Sequence, residues 1–563
     1  MIMKSKIQIL SLISLFFIAA CSNKNSEEMK EKLISFIERH DSLVAPLNKE
    51  IGLAYWESSI SGKEEDFMKI LELQNQLTII YSNPNNFAVL KEIKDSKAIK
   101  DEILLRQLNV LYNEYLQYQG DSALIMEINE IQNNIEQKFT NFRTTYNGKE
   151  LTDNDIESIL RTSTNSQELE EVWLGHKSIG PIVADDIIGL VKKRNELAQS
   201  LGFKNYHNMS LLLSEQKPED IDKLFDELDE LTKETFVKLK DNMDGYFAER
   251  YQLETQYLMP WHYQNRYFQE APKIYEVDFD QFYADVDIVE ISRIFFEDIG
   301  LLVDDILENS DLYEKPGKNQ HAYCIHIDKE GDIRILCNVR PTEMWMNTML
   351  HELGHAVYDK YIDSKLPYSL RSPAHIFTTE AIAMFFGRYA TNAQWMEDNL
   401  GISNEEAQRI EETGFKQLQL QQIVFSRWSQ VMYRFEKAMY ENPDQDLNAL
   451  WWNLVEKYQM IKKPEGRNEP DWATKIHVAT VPCYYHNYHL GELLASQFTY
   501  YIAENILNEK DVNKMSISDK AEIGSYFREK VFSLGAKLEW NEMIKKATGE
   551  KLTAKYYAKQ FVE

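Results

Sequence analysis

Glycine and proline are scarce in this chain, 21 and 14 of 563 residues, and nowhere do they gather with serine into a linker. Low-complexity tracts and internal repeats are also missing, so nothing divides the chain into separate modules. Basic residues are in deficit: 62 Lys and Arg stand against 90 Asp and Glu, a net charge of −28. That balance argues against a nucleic-acid partner, which needs a cationic surface. Beyond residue 20 no apolar run approaches the ~20 residues a membrane span requires, so the body of the chain is expected to be soluble. Cysteine is rarest, with four residues: Cys21, Cys324, Cys337 and Cys483.

Helical periodicity dominates what is present, as in Glu27 to Ala54, Glu64 to Tyr81, Glu219 to Lys240 and Glu405 to Met439. The 12% aromatic content, including Trp451-Trp452 and the tyrosines near 485, reads first as core packing. Against this background one pentad stands out, His351-Glu352-Leu353-Gly354-His355, inside the helix-periodic stretch Met344 to Ile362. Residues four apart share a helix face, so the two imidazoles can meet one metal ion while Glu352 sits beside the attacking water. Pro341-Thr342-Glu343 supply a helix start. Ser372-Pro373 opens a second helical run, Ala374 to Tyr389, in which apolar residues surround one carboxylate, Glu380, 25 residues past His355. A carboxylate there is costly unless paired or bound to metal, and a third ligand from a following helix leaves the fourth position open for chemistry. Two imidazoles and a carboxylate suit zinc, and would also accept cobalt or manganese. Eight of the 12 histidines fall between residues 321 and 489, which concentrates chemistry there.

Several segments around the pentad carry a family resemblance. Glu314-Lys315-Pro316, Cys324, Asp332-Ile333-Arg334-Ile335 and Cys337 precede it; Leu366-Pro367-Tyr368-Ser369-Leu370-Arg371 and Glu380-Ala381-Ile382 follow. Lys475-Ile476-His477, Val481-Pro482 and the tyrosines after it continue the pattern, and Met259-Pro260-Trp261-His262 adds to it upstream. Together they resemble the angiotensin-converting-enzyme family, the peptidyl-dipeptidase A zinc metallopeptidases. The resemblance implies a mostly α, two-lobed helical fold around a deep cleft, with a small β-hairpin near the zinc helix. It implies one zinc ion held by His351, His355 and Glu380, with Glu352 as the base. His477 and Tyr488 would hydrogen-bond the tetrahedral oxyanion. Lys475, Tyr485 and Gln269 would clamp the C-terminal carboxylate of an oligopeptide, so that dipeptides are released. The interval from His477 to Tyr488 is 11 residues, one longer than the family's usual spacing, which leaves Tyr484 and His486 as alternatives in that segment. Asn487 stands where vertebrate members carry a chloride-holding arginine, which speaks against chloride activation.

Peptide hydrolysis by zinc needs a Lewis acid, a general base and donors aimed at the developing oxyanion, and these residues supply each role. Two other readings share part of the pattern. Oligoendopeptidases and thimet oligopeptidases have the pentad, a later glutamate and a His-then-Tyr segment, and cut internally. An inactive, lipid-anchored peptide- or zinc-binding protein would have no use for the base Glu352.

Residues 1–20 carry Lys4 and Lys6, then the apolar run Ile7 to Ala20, and end Ile18-Ala19-Ala20-Cys21. This resembles a bacterial lipoprotein signal, with Cys21 lipidated, 21–30 a polar tether and 31–563 a single two-lobed domain. Ser22 after the cysteine favours the outer membrane, facing the periplasm or the cell surface, with the membrane touched through the lipid alone. Export permits disulfides. Tyr323 to Ile327 and Ile333 to Val339 read as strands around Asp328-Lys329-Glu330-Gly331-Asp332, and the hairpin is expected to bring Cys324 to Cys337, where the family has a disulfide; Cys483 is left as a free thiol. The same hairpin is the candidate for pairing with an extended substrate.

Overall fold

The computed structural model describes residues 26–275 and 277–562 in full and residues 2–25 as backbone only. The lipidation expected at Cys21 and its apolar leader therefore lie outside the residues whose side chains are described. Among the described residues no helix is long and apolar enough to cross a membrane.

The chain is mostly α-helical, with two short antiparallel hairpins, β1–β2 (Thr144–Tyr146, Lys149–Leu151) and β3–β4 (Tyr323–His326, Ile333–Leu336). The periodic stretches in the sequence all lie in helices. Glu27 to Ala54 falls in α1 (Ile2–Ser61), and α2 is Glu64–Tyr81. With α3 (Pro84–Ser96) and α4 (Glu102–Leu116) these build an N-terminal helical layer that has its own core of Leu33, Phe36, Leu90, Ile93, Leu108, Leu111 and Tyr115. The long helices α5 (Pro218–Tyr251) and α8 (Asn404–Glu441) contain the other two stretches and belong to one continuous core running from Leu124 to Phe561.

Three helices position the site: α6 (Glu343–Lys360), α7 (Ile376–Gly387) and α9 (His486–Ile502). Helix α6 starts where the sequence indicates, with the Thr342 hydroxyl accepting from the Trp345 amide at 3.3 Å. Helix α7 begins two residues later than expected, at Ile376, because the His375 ring caps it by accepting from the Phe377 amide at 3.3 Å. Two glycines set how closely these helices approach. A Cβ on Gly354 would sit 2.8 Å from the Ala383 Cα, and one on Gly491 would sit 3.1 Å from the Glu380 Cβ and the Met384 sulfur. Helix α7 is thus pressed between α6 and α9 at points where only hydrogen side chains fit, and Glu380 is carried to the histidines. Arg388, at the end of α7, pairs with Glu492 on α9 and locks that contact.

The N-terminal layer meets the hairpin β3–β4. Trp56, Ile327 and Leu336 form a small core there, and Lys49 pairs with Asp328 in the turn at 3.1 Å. Asn48 donates to the Tyr368 hydroxyl at 3.1 Å. The hairpin does not join the two cysteines. Its register sets Cys324 opposite Ile335, so Cys337 is a diagonal neighbour on the same face, and both remain free thiols. Diagonal cross-strand neighbours are about 7–8 Å apart, their Cβ atoms somewhat less, against the ~3.8 Å between Cβ atoms that a disulfide spans. The pairing expected from the family is corrected on this register. Cys483 is free, as expected, and buried.

Candidate metal centre and carboxylate clamp

Neutral imidazoles are the first requirement of a histidine metal site. Burial holds His351 down to about 4, and burial followed by the neighbouring His351 ring holds His355 low. The Nδ1 of His355 lies 2.7 Å from the Thr379 hydroxyl, one residue before Glu380. With that nitrogen as donor, the Nε2 lone pair is turned into the cavity. The two Nε2 atoms stand 3.2 Å apart, and each lies 3.8 Å from the Glu380 Oε2. His351, His355 and Glu380 bring one ligand atom each within 4.8 Å of one another, the one such group of three among the described residues.

The donor set fits zinc on its chemistry. Two nitrogens and a carboxylate oxygen converge on one point, and burial, then the charge of Glu492, raises Glu380 to about 7. Glu352 is buried beside them, pushed up to about 8 by burial and then by Glu380, with a Cys324 backbone hydrogen bond opposing the rise. Its Oε2 has no hydrogen-bond partner. An orphaned carboxylate oxygen next to three converging ligands is the signature of a place prepared for a positive charge and a water.

These side chains open into a cavity of about 580 Å³, also lined by Ala322, Tyr323, Cys324, Thr379, Met384 and Tyr488. Among the described residues strand β3 pairs with β4 alone, so its other edge carries no neighbouring strand. Tyr488 leads out of the cavity toward a second cluster: its ring lies 5.3 Å from that of Tyr485, and Tyr485 lies 5.4 Å from His477. The phenol of Tyr488 is kept protonated by burial and by Glu380. Burial, then Lys475, lowers His477 to about 4, and its Nδ1 is buried without a partner. Both groups therefore hold a donor proton.

Lys475, Gln269 and Tyr485, far apart in sequence, are brought together here. The Lys475 ammonium donates to Gln269 Oε1 at 2.6 Å and lies 5.0, 5.6 and 5.5 Å from the rings of Tyr267, Trp428 and Tyr485. Burial, then the charge of Arg266, lowers it to about 8. Trp428 donates to the Tyr485 hydroxyl at 2.8 Å, which fills its acceptor side and leaves the O–H to be given elsewhere.

In the segment after Pro482, Cys483 has φ +56° and its amide donates to the buried Glu436 at 2.9 Å. Tyr488 lines the cavity and Tyr484 does not, although its ring packs at 5.3 Å from Tyr488. His486 points away, hydrogen-bonded to Gln216 at 2.7 Å, and Asn487 accepts from the same Gln216 at 2.7 Å. Asn487 thus brings a neutral, internally satisfied amide rather than a cation to its position.

Sequence reasoning missed Thr379, the aromatic walls Tyr267 and Trp428, and the roles of Gly354 and Gly491. Thr379 had one readable signal, its place beside Glu380; the walls had none, since nothing local marks a Trp in a core helix as lining a cation.

A family model described as "Angiotensin-converting enzyme" matches residues 27–561. The chain is 22% identical over 432 residues to the angiotensin-converting enzyme of Theromyzon tessulatum, an alignment covering 72% of this chain and 70% of that protein. It is 23% identical over 430 residues to the angiotensin-converting enzyme of Rattus norvegicus, covering 70% of this chain and 32% of that one. The angiotensin-converting enzyme-like protein Ace3 of Mus musculus is 21% identical over 430 residues, covering 70% and 57%.

Proposed function

The chain belongs to the angiotensin-converting enzyme family of zinc metallopeptidases, and from that premise we propose that it releases dipeptides from the C-terminus of oligopeptides through the residues gathered above. One observation carries this reading. A three-ligand centre with an adjacent buried base is joined, through Tyr488 and Tyr485, to a caged ammonium that has no role in holding metal.

His351, His355 and Glu380 would hold a single zinc ion, which when bound polarises the scissile carbonyl and acidifies water. Glu352 takes the proton of the attacking water at its free Oε2 and hands it to the departing amine. Tyr488 and His477 donate to the oxyanion as it develops, at no cost in reorganisation, because burial already fixes their protonation. The substrate's terminal carboxylate takes charge-assisted bonds from Lys475 and Tyr485, with Gln269 holding the lysine in place. A clamp at a fixed distance from the reacting carbonyl makes the enzyme count residues from the end of the chain. The free edge of β3 supports the extended peptide between these points. No cation comes from Asn487, so chloride activation is not part of the reading.

The test is mass-spectrometric product analysis of peptides with free and amidated C-termini. Dipeptide products and a strong preference for the free carboxylate are expected. Cleavage at scattered internal bonds, indifferent to amidation, would replace this reading with that of an endopeptidase and leave the metal centre intact. Anchoring through a lipidated Cys21 at the outer membrane belongs to the same proposal, supported by the apolar leader ending in small residues before that cysteine. Native protein should partition into detergent, and Cys21→Ser should abolish this; aqueous partitioning of the native chain would refute the anchor.

A further inference from the structure

The zinc-site helix places one more functional side chain in the cavity. His351, His355 and Asp359 recur at steps of four, so they share a face of α6, and all three are only half-buried where Leu353, Gly354, Ala356, Val357 and Tyr358 are fully buried. Asp359 lines the same cavity as the metal ligands. That cavity has three carboxylates and no lysine or arginine on its walls. Glu380 and Glu352 are absorbed by the chemistry; Asp359 is not. Among the described residues its side chain makes neither a hydrogen bond nor an ion pair, and burial raises it to about 7. The one cation acting on it is Lys329 of the hairpin turn, whose ammonium sits over the Tyr368 ring at 5.2 Å and answers also to Glu114 and Asp41. A carboxylate this enclosed gains from an opposite charge, and nothing on the cavity wall supplies one.

The clamp fixes which part of a substrate would meet it. From Glu380 the path to the clamp runs through Tyr488 and Tyr485 to Lys475. The surroundings of Asp359 lie elsewhere, toward Lys329 and, through it, Asp41 of α1 and Glu114 of α4. With the carboxyl end of the peptide at Lys475, its amino side runs toward Asp359. Asp359 lies one helical turn, ~6 Å, past His355, a rise that an extended peptide running the same way covers in about two residues. We propose that Asp359 is a specificity-determining residue that pairs with a cationic group on the amino side of the scissile bond, either a lysine or arginine side chain or the substrate's own α-ammonium.

This inference rests on the dipeptidase reading, and its test separates the two. The metal-loaded full chain is assayed on N-acetylated peptides carrying lysine or norleucine at the second residue before the cut, and on the norleucine peptide with a free amino terminus. At least one cationic peptide should exceed the acetylated norleucine peptide by about tenfold or more in kcat/KM, chiefly through KM. Which one does so identifies the side chain or the ammonium as the partner. Asp359→Asn should bring the ratio close to one, and Asp359→Glu should keep part of it. Binding of the same peptides to the Glu352→Gln protein, measured by calorimetry, should show the same order without turnover. Equal kcat/KM across the set in the wild type, or a preference that survives Asp359→Asn, would overturn the proposal and leave Lys329 as the partner of Asp359. Failure to cleave any of these peptides to dipeptides would instead count against the dipeptidase reading.

Discussion

The candidate metal centre and the proposed carboxylate clamp pose opposite electrostatic problems. At the candidate metal centre the donors are drawn together: two imidazole nitrogens 3.2 Å apart, a carboxylate 3.8 Å from each, and a second carboxylate oxygen unpartnered. At the clamp the charge is already cushioned, with Lys475 bonded to Gln269 and surrounded by three rings. In the proposed reading the first site needs a dication, whereas the second is already satisfied and gains from a substrate carboxylate. Damage at the first should therefore be severe and appear in metal binding or turnover, while damage at the second should be graded and appear as a change in which substrates are preferred.

The largest effect expected is at Glu352. Glu352→Gln removes the base and keeps every ligand, so turnover should fall by roughly 10²–10⁴-fold while zinc content by elemental analysis is unchanged. Wild-type turnover in that variant would remove Glu352 from the mechanism.

Next comes the helix contact that assembles the ligands. Gly354→Ala puts a methyl group 2.8 Å from the Ala383 Cα, and such overpacking costs about 1–3 kcal/mol. Helix α7 must retreat, taking Glu380 with it. Zinc affinity, measured by chelator competition, should drop even though no ligand has changed, and the stabilisation of the wild type by saturating zinc in thermal melts should shrink. Unaltered affinity would show that the centre does not depend on the close approach of α6 and α7.

The smallest and most selective effect is at the clamp. Charge-assisted contacts of ~1.5–3 kcal/mol correspond to roughly 10- to 150-fold between free and amidated substrates, and Lys475→Ala should flatten that difference without loss of zinc. The wild type should show a pH signature of the same contact. Lys475 is lowered to about 8, so it is cationic below that pH and loses its proton as pH rises through it. The advantage of free over amidated substrates in kcat/KM should thus decline above pH 8, and the decline should be absent from Lys475→Ala. An advantage constant to pH 10 would mean that another cation reads the carboxylate.

Much of the protein is local information and was legible in the chain. The periodic stretches lie in helices because one apolar face per 3.6 residues can be buried in no other way, and α2 has the bounds its pattern indicates. The pentad is local too: spacing on a single helix decides that His351 and His355 face one point. Glu380 was visible as a carboxylate out of place in an apolar run. The disulfide between Cys324 and Cys337 failed because strand register is not a local property. A shift of two residues separates cysteines that the sequence alone allows to meet, and the turn's Lys329 at φ +56° and Gly331 at φ +123° fix the register that the composition leaves open.

By itself the sequence determined the helices, the ligand types and the intention of Glu352, since each follows from residue chemistry and short-range spacing. Only the tertiary structure decided that Gly354 and Gly491 let three helices close on Glu380. It alone put Tyr488, and not Tyr484 or His486, on the cavity wall, built a cage of rings around Lys475, and turned Asp359 into the same cavity as the histidines. The physical reason is range: a helix repeats every few residues and is written in its own segment, but an electrostatic environment is made of whatever the fold packs around a charge, from Gln269 to Tyr488, and no segment carries that information.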